Sequence, residues 1–318
     1  MHLINQPLVS ILINNYNYQE FLQESIDSAL AQTYPNLEVI VVDDGSTDSS
    51  RDIIASYADR IIPIYQTNQG QASTFNQGFA VSKGEIIFLL DADDVFHYEK
   101  VAIIVENLQN NLDCEWCFHP LLHFNQEEKA DLVKQEHLDI EKEKIQQHNL
   151  QRKMAKGKLG NPFSFPIPAT SGMCFTRSLA NTLLPMPTAK GIILNDSYLK
   201  FAALGISKGI TIEQELAYQR IHDRNLFTTV DNQQDSLNET RRKMAAIFLN
   251  TAYWLKAKFP SLINYANNIF AVGLALYWKV GLKDKKSLII IKEYCNETDF
   301  TSMISILIRS CYKYLQAL

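Results

Sequence analysis

The chain has 318 residues, enough for two domains, or one large domain with extensions, at roughly 150 residues each. With 46% hydrophobic and 20% charged residues it is neither disordered, nor collagen-like, nor a multi-span membrane protein. Its 35 acidic side chains outweigh 30 basic ones, a net charge of −5, which excludes general electrostatic attraction to nucleic acid.

In chain order, Leu8 to Ile13 is a short β-rich apolar run. A helical pattern follows with Tyr18, Phe21, Leu22, Ile26, Ala29 and Leu30 inward, and Asn17 with Glu20 resembles a capping box at its start. Leu37 to Val42 reads as a second buried strand, and a helix from about Asp48 turns Ile53, Ile54, Tyr57 and Ala58 inward. Ile61 to Tyr65 reads as a third strand that Pro63 pushes toward an edge. The next helix buries Ala72, Phe75, Phe79 and Ala80, and Ile86 to Leu90 is a fourth strand without polar interruption. Continuous apolar strands separated by amphipathic helices predict an α/β fold with a mostly parallel sheet covered on both faces.

Residues 126–158 turn to Glu, Lys, Gln and His, the composition of a solvated helix or mobile insertion. Residues 162–222 return to mixed structure, and from about Ser236 the pattern is helical. Met244, Ile247, Phe248, Thr251, Trp254 and Leu255 form one stripe, and Ile304, Leu307, Ile308, Cys311, Tyr312 and Leu315 a second. Helix packing is the expected use of both, with a membrane-surface or partner-binding face as the alternative. The expected domains are therefore 1–230, carrying the charged insertion, and a helical region 231–318. The five cysteines are odd in number and follow no secretory signal, which predicts a reducing, cytoplasmic setting. The nearest approach to a membrane span, Ile269 to Leu282, contains Trp278 and Lys279 and is too short to cross.

Ligands of an open parallel sheet bind beyond the carboxyl ends of its strands. Here those ends carry Asn14-Asn15-Tyr16-Asn17, Asp43-Asp44-Gly45-Ser46 and Asp91-Ala92-Asp93-Asp94. Five carboxylates on one rim repel one another unless a cation sits among them. Hard oxygen ligands point to Mg2+ or Mn2+, and a metal held by few carboxylates in a nucleotide-type crevice points to a diphosphate ligand. The turn after the first strand has no glycine, which disfavours dinucleotide binding.

These residues resemble glycosyltransferase family 2, the inverting nucleotide-sugar transferases with a GT-A (Rossmann-like) fold, over about residues 7–225. The resemblance is carried by Val9 to Asn17, by Ser28 to Asp48 with its Asp43-Asp44-Gly45-Ser46-Thr47-Asp48 end, by Asn68-Gln69-Gly70 leading to Asn76-Gln77-Gly78, and by Lys83-Gly84-Glu85 running into the Asp-x-Asp of Asp91-Ala92-Asp93. It implies that Tyr16 stacks on a uracil-like base with Asn14 beside it, and that Asp44 accepts from the base's imide nitrogen with Asp43 close by. It also implies that Asp91 lies near the ribose and that Asp93 ligates a divalent metal, Mn2+ or Mg2+, bridging the diphosphate.

The family's general base opens a helix after the acceptor region, and the matching segment begins Asn195-Asp196-Ser197-Tyr198. Asp196 is the implied base, although Asn195 stands where an acidic residue is common. Tyr218 to Asn225 resembles the family's closing segment, in which His222 could join the metal and Arg220 or Arg224 could neutralise phosphate charge. Gly45, Gly70 and Gly84 read as turn or cap glycines, and Asp48 as a helix cap.

A competing motif, Cys114-Glu115-Trp116-Cys117 with His119 and His123, has spacing that could ligate zinc, but strand alternation aims its two cysteines at opposite faces. The expected function is metal-dependent transfer from a nucleotide diphosphate sugar, UDP-linked by preference, to a glycan or lipid-linked acceptor, without nucleic acid. A sugar nucleotidyltransferase and a non-catalytic glycan-binding relative stand as alternatives. The C-terminal helices could add a peripheral membrane contact; oligomeric state is not legible.

Overall fold

A computed structural model describes residues 6–125, 144–157, 165, 167–187, 196–223, 225, 234–281 and 285–316. By contacts these fall into two compact units interleaved along the chain. The first takes 1–149, 163–186 and 207–221; the second takes 150–162, 187–206 and 222–318.

The first unit is organised by an eight-stranded sheet. Its opening segments are β1 (Val9–Asn15), α1 (Leu22–Leu30), β2 (Leu37–Asp43), α2 (Ser50–Ser56), β3 (Ile62–Tyr65), α3 (Gln71–Val81) and β4 (Ile86–Asp91). They are followed by β5 (Val95–Phe96), α4 (Lys100–Gln109), β6 (Trp116–Phe118), β7 (Leu122–Phe124) and β8 (Ile145–Asn149). In the second unit α5 (Gln151–Ala155) comes next, and β9 (Met173–Thr176) and α6 (Arg177–Leu183) return to the first. The order across the sheet is β3-β2-β1-β4-β9-β6-β10-β8, with β10 spanning Lys208–Ile212. β3, β2, β1 and β4 run parallel, whereas β9 inserts antiparallel to both β4 and β6. A small second sheet sets β11 (Ala217–Arg220) between β5 and β7.

Alternation along the strands divides the core between the two sheet faces. Val9, Ile11, Ile13, Val39, Val41, Phe88 and Leu90 form one cluster with Leu22 and Ile26 of α1, Ile54 of α2 and Ile104 of α4. The intervening Leu12 and Val42 face α3, where a Cβ on Gly78 would stand 3.3 Å from Val42 and 3.5 Å from Leu12. Helices thus cover both faces, and the uniformly apolar strands follow from that burial. β3 is the edge strand, as Pro63 requires.

Several local expectations are corrected. The capping box at Asn17 does not form: Asn17 sits at φ 58°, its Oδ1 accepts the Thr47 N–H at 2.8 Å, and α1 begins only at Leu22. Ala58 and Ala80 are exposed because α2 ends at Ser56 and α3 rolls Ser73, Thr74 and Gly78 inward instead. Of the charged stretch 126–158, residues 126–143 and 158 lie outside the described residues, and 145–155 is not a solvated insertion. β8 closes the sheet edge antiparallel to β10, and α5 buries Met154. Asp48 is not the cap residue: it stands one position before the Ser49 N-cap, its Oδ1 accepting the Ser50 N–H at 3.0 Å.

In the second unit α7 (Asp196–Ile206) packs on α8 (Gln234–Lys258), and α9 (Ile263–Lys279) packs along α8 and α11 (Phe300–Gln316). α10 (Lys285–Asn296) lies on α8 and stacks Tyr294 on Phe270 at 3.9 Å, with the Tyr294 hydroxyl donating to Asn267 Oδ1 at 2.7 Å. The first apolar stripe packs in part, with Ile247, Thr251 and Leu255 buried beside Leu249 and Ala252. The second does not: Ile304, Leu307, Ile308, Tyr312 and Leu315 are exposed. No helix among the described residues is long and apolar enough to cross a membrane.

Candidate active site

The register of the central strands sets the site. Asn14 pairs with Asp91 across β1 and β4, and Asn15 with Asp43 across β1 and β2, so the polar ends of three strands form one row. Side chains lock that row. Asn14 Nδ2 donates to Asp91 Oδ1 at 2.9 Å, joined there by Gln71 Nε2 at 3.1 Å. Asn14 Oδ1 is buried with no hydrogen-bond partner. The Tyr16 ring, which follows directly, is 46% exposed and offers a face for stacking.

The two adjacent carboxylates after β2 hold the loops around them. Asp43 is wholly buried and accepts from Asn15 Nδ2 at 3.0 Å, the Ser46 N–H at 3.1 Å and Arg51 Nε at 2.9 Å. Asp44 receives Gln66 Nε2 at 2.5 Å, the Gln69 N–H at 2.8 Å and the Gly70 N–H at 2.7 Å, the last two at the amino end of α3. Three of roughly four acceptor positions on Asp44 are therefore filled within the chain. Gly45 is required between this pair and Ser46: its φ is +79°, and a Cβ would stand 2.7 Å from the Asn68 nitrogen. Gly84 is required by close approach instead, since a Cβ would overlap the Ser10 backbone.

Beyond β4, Asp91, Asp93 and Asp94 bring one carboxylate oxygen each within 4.8 Å of one another. Burial first, then the charges of Asp93 and Asp91, push Asp94 well above the usual carboxylate range. Ser171 Oγ donates to Asp94 Oδ2 at 2.6 Å and accepts the Asp91 N–H at 3.1 Å. The Arg220 N–H donates to Asp94 Oδ1 at 3.2 Å. Lys100 Nζ, fully buried over the Phe96 ring at 3.5 Å, donates to the Ser171 carbonyl. Burial pushes the Lys100 amine down to about 7. Three converging, mutually repelling carboxylates with no soft donor among them suit a hard divalent cation, so the residues present fit Mg2+ or Mn2+.

Arg220 does not take the expected place on a ligand phosphate. Its side chain is 1% exposed, lies between the Phe21 and Phe124 rings at 4.8 and 4.5 Å, and pairs with Glu24 while Nε donates to the Asp93 carbonyl at 3.1 Å. It is an internal strut under the acidic turn. Arg224 and Asn195 lie outside the described residues. In the second unit Asp196 opens α7 and its Oδ2 accepts from Lys200 Nζ at 2.8 Å, with both side chains largely buried. The His222 N–H donates to Asn225 Oδ1 at 2.6 Å, and its Nε2 stands 3.4 Å from Asn225 Nδ2. Cys117 faces Cys174 across β6 and β9, and both join Cys114 in the apolar core.

Asp94, Ser171, Lys100 and Glu24 are the site residues that carried no assigned role in the sequence. Asp94 had a signal in its place beside Asp93. The other three had none: Ser171 meets Asp94 from 77 residues away, Lys100 reaches the turn through the Ser171 carbonyl, and Glu24 reaches it through Arg220.

Residues 10–176 match the family model described as Glycosyl transferase family 2. An uncharacterized glycosyltransferase of Nostoc sp. (strain PCC 7120) is 33% identical over 270 residues, covering 82% of this chain and 80% of that one. The chain belongs to glycosyl transferase family 2. An uncharacterized glycosyltransferase of Rickettsia prowazekii is 46% identical over 110 residues, 35% of this chain and 34% of that one. Among solved structures, Staphylococcus aureus TarS 1-349 in complex with UDP-GlcNAc superimposes with TM-score 0.54 at 16% identity, over 85% of this chain and 72% of that one. The mannosyltransferase PcManGT from Pyrobaculum calidifontis, in complex with GDP-Man and Mn2+, gives TM-score 0.50 at 18% identity over 98% of this chain and 88% of that one. The fold of this family 2 glycosyltransferase is GT-A, with a helical C-terminal region. Family membership sets aside the sugar nucleotidyltransferase alternative.

Proposed function

We propose that this family 2 glycosyltransferase is an inverting, divalent-metal-dependent enzyme that transfers a sugar from a UDP-sugar to a hydroxyl of a glycan or lipid-linked acceptor, in the assembly of polysaccharide at the cytoplasmic side of a membrane. The observation that carries the reading is the convergence of Asp91, Asp93 and Asp94 within 4.8 Å at the strand end next to Asn14. Two proteins that share the fold hold nucleotide-sugar donors in their solved complexes, one of them with Mn2+, which supports the same donor class here.

In this reading Tyr16 stacks on the base, and the unpartnered Asn14 Oδ1 and the remaining acceptor position of Asp44 take its polar edge. Asp43 keeps the loop in shape beside them. Asp91 lies near the ribose, and Asp93 and Asp94 are the nearest candidates to hold the ion, with His222 as a further ligand. When bound, Mn2+ or Mg2+ supplies Lewis-acid stabilisation of the charge that develops on the leaving diphosphate. Asp196 takes the acceptor hydroxyl's proton as that oxygen attacks the anomeric carbon from the face opposite the leaving group. With Lys200 on Oδ2, Oδ1 is the oxygen we assign to the proton.

Calorimetric titration of UDP and GDP into the full chain, with Mn2+ and then with excess chelator, tests the reading. Mn2+-dependent binding of UDP over GDP is expected, followed by release of UDP from a UDP-sugar. Binding of neither nucleotide under any metal condition overturns it and leaves the non-catalytic relative.

A further inference from the structure

α11 is amphipathic in the opposite sense to a packing helix. Its inward side carries Ile306 and Ser310, 1% and 0% exposed. Phe300, Ile304, Leu307, Ile308, Tyr312 and Leu315 are 78%, 43%, 42%, 65%, 59% and 64% exposed, and at 3.6 residues per turn they fall in one arc of roughly 140°. A helix held only by the rest of the fold would put those side chains inward, because each exposed one forgoes about 1.5–3 kcal/mol of burial.

The charges on α11 itself are of one kind. α11 has no acidic side chain, and Arg309 borders the stripe, whereas Lys313 stands beside the buried Ile306 on the other side of the helix. Just before it, α10 exposes Lys285 and Lys286 beside Leu288 and Ile289, 47% and 54% exposed. Of the nearby acids, the exposed Glu293 of α10 lies beside Tyr253, Glu297 lies 4.0 Å from Lys256, and Asp299 caps α11 through the Ser302 N–H at 2.9 Å. A basic, apolar edge in a chain of net charge −5 is a local reversal of sign.

We infer that α11 lies on the surface of an anionic phospholipid bilayer, its apolar stripe among the headgroups and acyl boundary and Arg309 reaching lipid phosphates, with Lys285 and Lys286 of α10 adding positive charge. Long basic side chains beside an apolar arc can keep their heads at that level while the stripe sinks below it. A second copy of the chain fits less well. Seventeen residues make a stripe ~25 Å long and ~10 Å wide, so two such faces bury roughly 500 Å2, against the ~1,200 Å2 or more of a stable interface. The inference goes beyond the transfer reaction and does not depend on which donor is used.

The test is cosedimentation of the full chain with vesicles of phosphatidylcholine alone and of phosphatidylcholine with phosphatidylglycerol. The parent protein is expected to bind the mixed vesicles at least about tenfold more tightly than the neutral ones, and to lose that preference as salt is raised. Ile304→Ser with Leu307→Ser and Ile308→Ser should weaken binding about tenfold or more, with UDP titration unchanged. Arg309→Gln with Lys285→Gln and Lys286→Gln, which leaves the stripe intact, should remove the preference for the anionic vesicles. Equal vesicle binding by parent and both variants, or no vesicle binding by the parent, overturns the inference. So does a parent dimer in sedimentation velocity that the triple variant converts to monomer. Vesicle binding without any UDP binding would overturn the proposed reaction and leave this inference standing.

Discussion

Ser171 Oγ lies 2.6 Å from Asp94 Oδ2 and donates to it, although the two residues are 77 positions apart and belong to different strand connections. The same oxygen accepts the Asp91 N–H at 3.1 Å, so one hydroxyl fixes the backbone at one end of the acidic turn and a carboxylate at the other.

Removing that hydroxyl leaves Asp94 short of a donor in a buried, like-charged setting. Ser171→Ala should cost about 1–3 kcal/mol of stability in urea unfolding. It should also weaken Mn2+ binding roughly 10–100-fold, since the loss falls on a group that orients a candidate ligand. Ser171→Thr, which keeps the hydroxyl, should recover most of the metal affinity. Failure of Thr to do better than Ala would mean that packing, not the hydrogen bond, is what Ser171 contributes.

Donor binding and proton removal are assigned to different units of the chain, and two substitutions separate them. Asp93→Ala should weaken metal-dependent UDP binding beyond about a hundredfold, read by calorimetry. Asp196→Asn should leave UDP binding near that of the parent while transfer falls about 10²–10⁴-fold. Equal loss of UDP binding in both would dissolve the division of roles.

The exposed Tyr16 ring is assigned to base stacking, and stacking needs the ring rather than its hydroxyl. Tyr16→Ala should cost about 1–3 kcal/mol of UDP binding, and Tyr16→Phe little of it. Isothermal titration of both variants decides this, and a Phe variant as weak as the Ala one points to a hydroxyl contact.

Lys100 offers a pH test in metal-free buffer. Burial holds its amine at about 7 in the folded chain, against an ordinary 10.5. Between those values the unfolded chain keeps a proton that the folded chain has lost, so this group makes stability rise with pH through the window and leaves it flat below. The stability of the parent relative to Lys100→Met should therefore increase between about pH 6 and about pH 9, measured by urea unfolding with chelator present. An unchanged difference would place the amine's titration outside the window.

Much of the strand-end row of the candidate site was legible because its signal is local. An uninterrupted apolar strand ending in Asn14-Asn15, Asp43-Asp44 or Asp91-Ala92-Asp93-Asp94 needs no partner to be read, and parallel pairing then brings such ends into one row. The sequence likewise determined that β3 is an edge, through Pro63, and that helices separate the first four strands.

Tertiary structure decided the rest, because the remaining choices depend on who meets whom. Arg220 was a plausible phosphate ligand by type and became an internal strut, since Phe21, Phe124, Glu24 and the acidic turn surround it. Gln146, Gln147 and His148 have a solvated composition, yet they form a strand because β10 presents an unpaired edge that backbone groups must satisfy. The α11 stripe shows the limit most plainly. Its period of 3.6 settled that one face is apolar, but periodicity is the same for a helix turned inward as for one turned outward. Only the packing of Ile306 and Ser310 against the fold, with Ile304 and Ile308 left outside, sets its direction.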